Sequence, residues 1–342
     1  METMKTKLEK AFSNFGISLV VESSQVGSSV TTYAVRLGVG VRVKALRDME
    51  NDISLAVGIN GVLFDYSFGN GLIGIQIPNA VRGVVNYNTF ASCSGLEFIV
   101  GKDVYGNDFR LDLAKLPHLL VAGQTGSGKS VVLNCLISSL IDGNAVGDVH
   151  LILVDPKRVE FSVYRDIPHL RDGIITEISD VVIMLKDLVE EMENRYVDME
   201  QHGVRTIDEL AKRGIKYPKI VLAIDELGDI MLREKKQVED LIVRLGQKSR
   251  ACGIHMVLAT QRPSCDVVTG LIKANIPARL VCKVASSTDS VVVLGQGGAE
   301  SLLGNGDMLF SNGNGLKRVQ GAWINDNDIN DVITRASAFE PF

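Results

Sequence analysis

The stretch PHLLVAGQTGSGKS (117–130) decides the fold, because it joins a short apolar strand to a glycine-rich turn and then to an apolar helix. Its last eight residues match GxxxxGK[ST], in the strand–turn–helix context that a phosphate-binding loop requires. In such a loop, glycines let backbone N–H groups surround phosphate oxygens, and the helix N-terminus adds positive potential. We therefore predict a nucleotide site here, with Lys129 at the β- and γ-phosphates and Ser130 at Mg²⁺. The predicted nucleotide contacts are Gly123, Gln124, Thr125, Gly126, Ser127, Gly128, Lys129 and Ser130.

Outward from this loop, apolar runs alternate with helical segments. The runs are LLVAG (119–123), HLILVD (150–155), KIVLAID (219–225), IHMVLAT (254–260) and ARLVCKV (278–284), and helices are expected at 178–203 and 237–251. Continuous apolar strands between helices indicate a parallel sheet covered on both faces, hence an α/β domain at 118–342. The first 90 residues contain short β-rich pieces and a helix at 50–57, which predicts a small α+β domain, followed by a connector at 91–117.

Composition excludes several classes of protein. The 342 residues are 46% hydrophobic and 23% charged, the balance of a folded globular chain rather than a disordered one. No run reaches the roughly 18 apolar residues of a membrane span, and the five cysteines form no CxxC pair, so we expect a cytoplasmic protein with reduced, buried thiols. The five histidines are scattered, and no metal beyond nucleotide-bound Mg²⁺ is expected.

The net charge is −5, yet residues 231–290 hold ten Lys or Arg against five Asp or Glu, so a cationic zone lies in an otherwise acidic chain.

Three further positions carry candidate chemistry. Asp225 and Glu226 end an apolar strand, where side chains of a parallel sheet face the ligand crevice; Asp225 could bind Mg²⁺ through water and Glu226 could polarise the attacking water. The alternative is an acidic helix N-terminus favoured by the helix dipole. Gln261 follows another strand and could sense the γ-phosphate, because its amide both donates and accepts. Arg250 could reach across a subunit boundary to a neighbour's phosphates, or be a surface arginine near a helix C-terminus.

These residues lie in a sequence that resembles the FtsK/SpoIIIE family of DNA translocases along nearly its whole length. The similar stretches, besides the phosphate loop, are VDPKRVEFSVYRDIPHL (154–170), EMENRYVDMEQHGVR (191–205), IDELGDI (224–230), RLGQKSRACGIHMVLATQRPS (244–264), DVVTGLIKANIPARL (266–280), GAESLLGNGDML (298–309), VTTYAVRLGVGVRVKAL (30–46) and IGIQIPN (73–79).

The resemblance implies a hexameric ring of this chain, whose RecA-like domain hydrolyses ATP between subunits and moves double-stranded DNA through a central pore. By the same resemblance Glu226, Lys129, Arg250 and Gln261 are catalytic, with Arg279 as the second choice for the trans arginine. The segment 262–275 resembles a pore loop, in which Arg262 and Lys273 would contact DNA phosphates.

The sequence departs from the family pattern in SSTDSV (286–291), where Ser287 and Val291 replace a Lys and an Arg, so a second cationic pore contact is not expected. The family's membrane-spanning segment and DNA-reading winged-helix domain are not found in these 342 residues, and we therefore expect translocation without sequence direction. Two other functions remain open: a secretion-type ATPase that acts on polypeptide, and a nucleotide-dependent assembly switch. The presence of Glu226 argues against the switch.

Overall fold

The computed structural model of the chain describes residues 3–313 and 315–338, which form one four-stranded and one ten-stranded sheet. The smaller sheet is antiparallel, in the order β1-β2-β4-β3. Its elements are α1 (Met4–Asn14), β1 (Leu19–Val26), β2 (Val30–Leu37), α2 (Val43–Asp48), α3 (Glu50–Val57), β3 (Leu63–Gly69) and β4 (Leu72–Pro78). The helices pack on one face of this sheet, where Leu8, Phe12 and Ile53 join Ile75 in one buried cluster. The helix predicted at 50–57 is therefore present.

The larger sheet contains every strand predicted between residues 118 and 284. Its strands are β5 (Glu97–Asp103), β6 (Asp108–Asp112), β7 (His118–Ala122), β8 (Val149–Val154), β9 (Leu170–Ile175), β10 (Lys219–Ile224), β11 (Ile254–Thr260), β12 (Ala278–Cys282), β13 (Asp307–Ser311) and β14 (Leu316–Gly321). They are ordered β6-β5-β14-β13-β12-β7-β11-β10-β8-β9. The six strands from β12 to β9 are parallel, and the other four extend the sheet in antiparallel fashion.

Helices cover both faces of the parallel strands. They are α4 (Lys129–Asp142), α5 (Ile178–Gln201), α6 (Ile207–Ala211), α7 (Leu227–Lys248), α8 (Gly270–Asn275), α9 (Ser287–Leu294) and α10 (Asp326–Ala338). Successive side chains of a strand point to opposite faces, and β7 follows this rule: Leu119 and Val121 pack in the cluster under α4, whereas Leu120 and Ala122 pack in the cluster under α5 and α7. All four are buried, which explains why this strand is apolar throughout.

The segment 91–117 differs from the connector that the sequence suggested. It contains β5 and β6, and β5 pairs with β14, which lies more than two hundred residues further along the chain. A short hairpin that is completed by so distant a strand has no local signature beyond the apolar run at 98–100. The helix predicted from residue 237 is also longer than expected, because α7 begins directly after Glu226.

The strand order positions the functional site. Strand β11 lies between β7 and β10, so the phosphate loop after β7 and the acidic pair after β10 flank the end of β11 on the same edge of the sheet. Within residues 3–313 and 315–338, no helix is both long enough and apolar enough to cross a membrane.

Candidate functional site

The phosphate loop depends on glycines at two positions. Gly126 (φ 76°) and Gly128 (φ 112°) have left-handed backbone conformations that residues with a Cβ rarely adopt. A Cβ on Gly128 would also lie 2.7 Å from the backbone N of Gly306, so the loop packs backbone to backbone against its neighbour. The N–H of Gln124 donates to the carbonyl of Lys283 at 2.9 Å. Backbone contacts with Gly306 and Lys283 thus fix the conformation of the loop, and α4 follows it directly.

Lys129 and Asp225 form a buried ion pair across the site. The Lys129 ammonium donates to the Asp225 carboxylate and, at 2.9 Å, to the backbone carbonyl of the same residue. Both side chains are almost fully buried. Burial raises the pKa of Asp225, and the Lys129 ammonium opposes that rise. The two residues predicted to serve phosphate and metal are therefore brought into direct contact.

The oxygen ligands around this pair fit a hydrated Mg²⁺ ion. The Ser130 hydroxyl donates to Oε1 of Glu160 at 2.6 Å, and the charge of the nearby Asp155 contributes to the raised pKa of Asp225. Oδ2 of Asp225 and Oδ1 of Asp155 are buried and have no hydrogen-bond partner among the described residues. Carboxylate and hydroxyl oxygens of this kind are the ligands Mg²⁺ prefers, together with nucleotide phosphates and water. In the described residues no group of three or more His, Cys, Asp or Glu side chains forms a metal site of its own.

Glu226 is held by donors on several sides. Its Oε1 accepts from the Thr260 hydroxyl at 2.6 Å and from the Gly228 N–H at 3.2 Å, which makes it the N-cap of α7. Its Oε2 accepts from the backbone N–H of Gln261 at 3.0 Å and lies 3.5 Å from the Lys157 ammonium. Glu226 is therefore the N-cap of α7, and it also contacts Gln261, the residue that bonds the phosphate loop.

Gln261 reaches the phosphate loop directly. Its Oε1 accepts a 2.9 Å hydrogen bond from the Thr125 hydroxyl, and its role as a phosphate sensor stays a prediction. Both residues line a cavity of about 730 Å³ that runs from the phosphate loop to Trp323. That volume is in the usual range of small-molecule sites.

Arg250 lies at the opposite edge of the sheet from its own phosphate loop. It is exposed in the turn before β11, and its charge acts on His118 at the start of β7. Burial, together with the nearby charges of His255 and Arg250, lowers the pKa of His118 to about 3. The five-residue strand β7 places the two edges about 16 Å apart. Arg250 is therefore too far from its own phosphate loop to act there. A role in a neighbouring subunit's site stays a prediction, with a surface arginine as the alternative. Arg279 is engaged elsewhere, since it donates to the carbonyls of Val293 at 2.9 Å and Lys273 at 3.2 Å.

The two predicted DNA contacts have different surroundings. Arg262 is exposed at the start of the segment 262–275. Lys273 is partly buried, and its ammonium donates to the carbonyl of Val292 near the end of α9 at 3.0 Å. The structure thus leaves Arg262 accessible and gives Lys273 a helix-capping contact.

Additional cations lie next to this segment. Helix α7 is interrupted at Glu234 (φ −125°, ψ 37°), and the exposed side chains around the interruption include Arg233, Lys235 and Lys236. The Lys235 ammonium bonds Asp266 at 2.8 Å, which joins this part of α7 to the segment that begins at Arg262. We call Arg233, Lys235, Lys236 and Arg262 the cationic tip.

Comparison with known proteins gives the family of the chain. The sequence model of the FtsK/SpoIIIE family matches residues 88–217 and 209–265, and that of the FtsK alpha domain matches residues 1–79. A protein named DNA translocase FtsK from Streptococcus agalactiae is 44% identical over 346 aligned residues, which cover 95% of this chain. The chain belongs to the FtsK/SpoIIIE family. It spans 42% of the length of that FtsK/SpoIIIE relative and 45% of the one from Streptococcus pneumoniae, which has the same name and the same identity.

Solved structures share the fold of this FtsK/SpoIIIE chain. The pCW3 conjugation coupling protein TcpA, in a monomer form with ATPγS, superposes with a TM-score of 0.69 at 24% identity, over 97% of this chain and 99% of TcpA. The cytoplasmic domain of the type VII secretion ATPase EccC from Thermomonospora curvata gives 0.63 at 22% identity, over 72% of this chain and 31% of EccC. These likenesses confirm the predicted P-loop ATPase fold with a small N-terminal domain.

Four residues of the FtsK/SpoIIIE site have no role in the sequence-based interpretation: Asp155, Lys157, Glu160 and Thr260. Asp155 directly follows β8 and could have been found by the rule that selected Asp225, since both follow an apolar strand at the same sheet edge. Thr260 ends β11 directly before Gln261 and has the same signal. Lys157 and Glu160 had none, because a turn held by the Asp155 carboxylate, which accepts from the Phe161 N–H at 3.0 Å, folds them towards the phosphate loop.

Proposed function

We propose that this chain is the motor of an ATP-driven translocase of double-stranded DNA that works as a hexameric ring in the cytoplasm. The observation that carries the proposal is the Thr125–Gln261 hydrogen bond, because it connects the phosphate loop to the residue directly before Arg262. Gln261, which would respond to the loss of the γ-phosphate, is thereby the neighbour in sequence of Arg262, a member of the cationic tip. The name of the curated relatives, DNA translocase FtsK, supports the same assignment.

Each part of the site has a role in ATP hydrolysis. MgATP supplies the phosphoanhydride bond that is broken. The N–H groups of the phosphate loop and the Lys129 ammonium hold its phosphates, while Ser130 and Asp225 hold Mg²⁺, in part through water. Glu226 accepts a proton from the attacking water, and Gln261 contacts the γ-phosphate. Arg250 of a neighbouring subunit stabilises the charge that develops on the transferred phosphoryl group.

The cationic tip supplies the DNA contact. Its exposed guanidinium and ammonium groups suit a phosphate backbone, and such contacts carry no sequence information. Arg262 is its central member because it follows Gln261 directly. Lys273 supports the tip indirectly, by fixing α8 to the end of α9.

A polypeptide substrate is the second candidate, since the secretion ATPase EccC has a similar fold. The net positive charge of residues 231–290 favours the polyanion instead. A nucleotide-dependent assembly switch is the third, and the engaged, buried Glu226 beside the phosphate loop argues against it.

One experiment separates these functions. The ATPase rate is measured with and without duplex DNA of several sequences, and the particle mass is measured with ATP. The proposal expects a hexamer whose ATPase is stimulated by any duplex, less so as salt is raised. A hexamer that ignores DNA would favour the polypeptide substrate, and assembly without turnover would favour the switch.

A further inference from the structure

Trp323 lies at the far end of the cavity that contains the phosphate loop. It is the only tryptophan of the chain, and 51% of its surface is exposed. Large aromatic side chains are usually more buried, and one left half-exposed on a cavity wall is available for contact with a ligand. The function proposed above assigns no residue to the base of the nucleotide.

Two hydrogen bonds to one backbone segment hold the backbone of Trp323 in place. Its N–H donates to the carbonyl of Val85 at 2.7 Å, and its carbonyl accepts from the N–H of Tyr87 at 2.9 Å. Residues 85–87 belong to the segment that leads from the four-stranded sheet to the ten-stranded sheet. The tryptophan is therefore fixed by the linker between the two sheets, before any ligand binds.

The two ends of the cavity differ in chemistry. At one end are Lys129, Ser130 and Gln261, which suit phosphates. The other end is mostly apolar, and its lining includes Val84, Val85, Val132, Met308, Ala322 and Trp323. Val132 belongs to the first turn of α4, which starts at the phosphate loop, so the apolar end begins within one helical turn of the phosphate end.

Polar groups interrupt the apolar end: one is Arg82, whose guanidinium donates to the carbonyl of Gly304 at 3.3 Å, and another is Gln320. Nε2 of Gln320 donates to the carbonyl of Asn305 at 3.0 Å, and its buried Oε1 has no partner among the described residues. Gln320 lines the same cavity. An acceptor without a protein donor is a position at which a donor on a ligand contributes a hydrogen bond.

From this arrangement we propose that Trp323 stacks on the base of the nucleotide, in a subsite that linker residues 82–85 also line. The inference rests on the proposed function, because it needs a nucleotide in the phosphate loop. It assigns the linker a part in binding: a bound base touches the segment that connects the N-terminal sheet to the motor.

The single tryptophan allows a direct test on the full chain. We titrate its fluorescence with ADP, ATP and inorganic tripolyphosphate in the presence of Mg²⁺, and measure binding separately by equilibrium dialysis. ADP and ATP are expected to quench or shift the emission at saturation, whereas tripolyphosphate binds without doing so. An equal response to tripolyphosphate, or bound ADP with unchanged emission, would overturn the proposal.

Two variants and a control complete the test. Trp323→Ala is expected to weaken ADP binding about tenfold and leave tripolyphosphate binding unchanged, while Trp323→Phe retains most of the affinity because it can still stack. Leu232→Ala is the control, since Leu232 is exposed and lies outside the cavity. Equal ADP affinity in Trp323→Ala and the wild type would overturn the base subsite alone. Failure of the wild type to bind any nucleotide would overturn the proposed function as well.

Discussion

The Thr260 hydroxyl donates a 2.6 Å hydrogen bond to Oε1 of Glu226, and its oxygen accepts from the backbone N–H of Arg262 at 3.1 Å. One side chain thus connects the carboxylate assigned to water activation with the first residue of the segment assigned to DNA. The hydrogen bonds that Glu226 accepts occupy part of the acceptor capacity of its carboxylate, so loss of one of them frees capacity for the attacking water.

Thr260→Val should therefore raise the ATPase rate measured without DNA. The substitution keeps the shape of the side chain and removes the donor, and a hydrogen bond to a charged acceptor contributes enough for a change of about tenfold. Steady-state ATPase assays with and without duplex DNA measure the effect, and Thr260→Ser should behave as the wild type. An unchanged unstimulated rate in the valine variant would contradict a restraining role.

Lys129→Ala and Glu226→Gln should fail at different steps. Removal of the ammonium takes away the cation at the phosphates, so Lys129→Ala should lose nucleotide binding. Glu226→Gln keeps the phosphate loop intact and should bind ATP while hydrolysing it at least about 10²-fold more slowly. Equilibrium dialysis and single-turnover hydrolysis distinguish the two. Wild-type turnover by Glu226→Gln would show that another group activates the water.

Arg262 and Lys273 should respond differently to alanine substitution. Arg262→Ala should reduce DNA stimulation and lower the slope of log affinity against log salt by about one unit, because one phosphate contact is lost. Lys273→Ala should chiefly lower the melting temperature, since the Lys273 ammonium bonds the Val292 carbonyl. Lys317→Ala, on an exposed position of β14, is the control for charge alone. If Lys273→Ala had a normal melting temperature but weak stimulation by DNA, Lys273 would be a DNA contact, as the sequence predicted.

Arg250→Ala rings should bind ATP and hydrolyse it about 10³-fold more slowly, as expected when a trans arginine is removed. Lys129→Ala subunits keep Arg250, so mixing the two inactive proteins creates interfaces with one intact phosphate loop and one intact arginine. Some activity should return. If rings shown by mass spectrometry to be mixed stay inactive, Arg250 is not the trans arginine.

Stability should decline below neutral pH because two histidines are buried in the neutral form. Burial lowers the pKa of His255 to about 4 and that of His118 to about 3, against about 6.5 in the unfolded chain. The unfolded state then binds more protons than the folded state below pH 6.5, so stability falls as pH drops from 6.5 towards 4, by at most about 1.4 kcal/mol per pH unit for each histidine. Urea unfolding of the wild type and His255→Gln at several pH values measures this. An equal slope in the variant would exclude His255.

Five of the six parallel strands were predictable because they are largely buried on both faces and so form apolar runs, as at 119–122 and 220–224. The sixth, β9 (LRDGII), is partly exposed and has no such run. Strands β5, β6, β13 and β14 were not predictable, since each depends on an antiparallel partner that local sequence does not reveal. The same distinction separates the site residues. The phosphate loop and Asp225 have a local pattern, whereas the Val292 carbonyl that occupies Lys273 is nineteen residues away and only the fold brings it near.

The interruption of α7 at Glu234 gives the helix a mechanical division. Its first eight residues, Leu227 to Glu234, form a rod about 12 Å long that starts at Glu226, the residue proposed to activate water, and ends at the cationic tip. In the remaining part, the Arg244 guanidinium bonds Glu193 of α5 at 3.0 Å, and the Lys248 carbonyl accepts from the Tyr196 hydroxyl of α5 at 2.7 Å. Because the helical geometry is interrupted at Glu234, a tilt of the first segment about Glu226 would displace Arg233 without requiring the second segment to move.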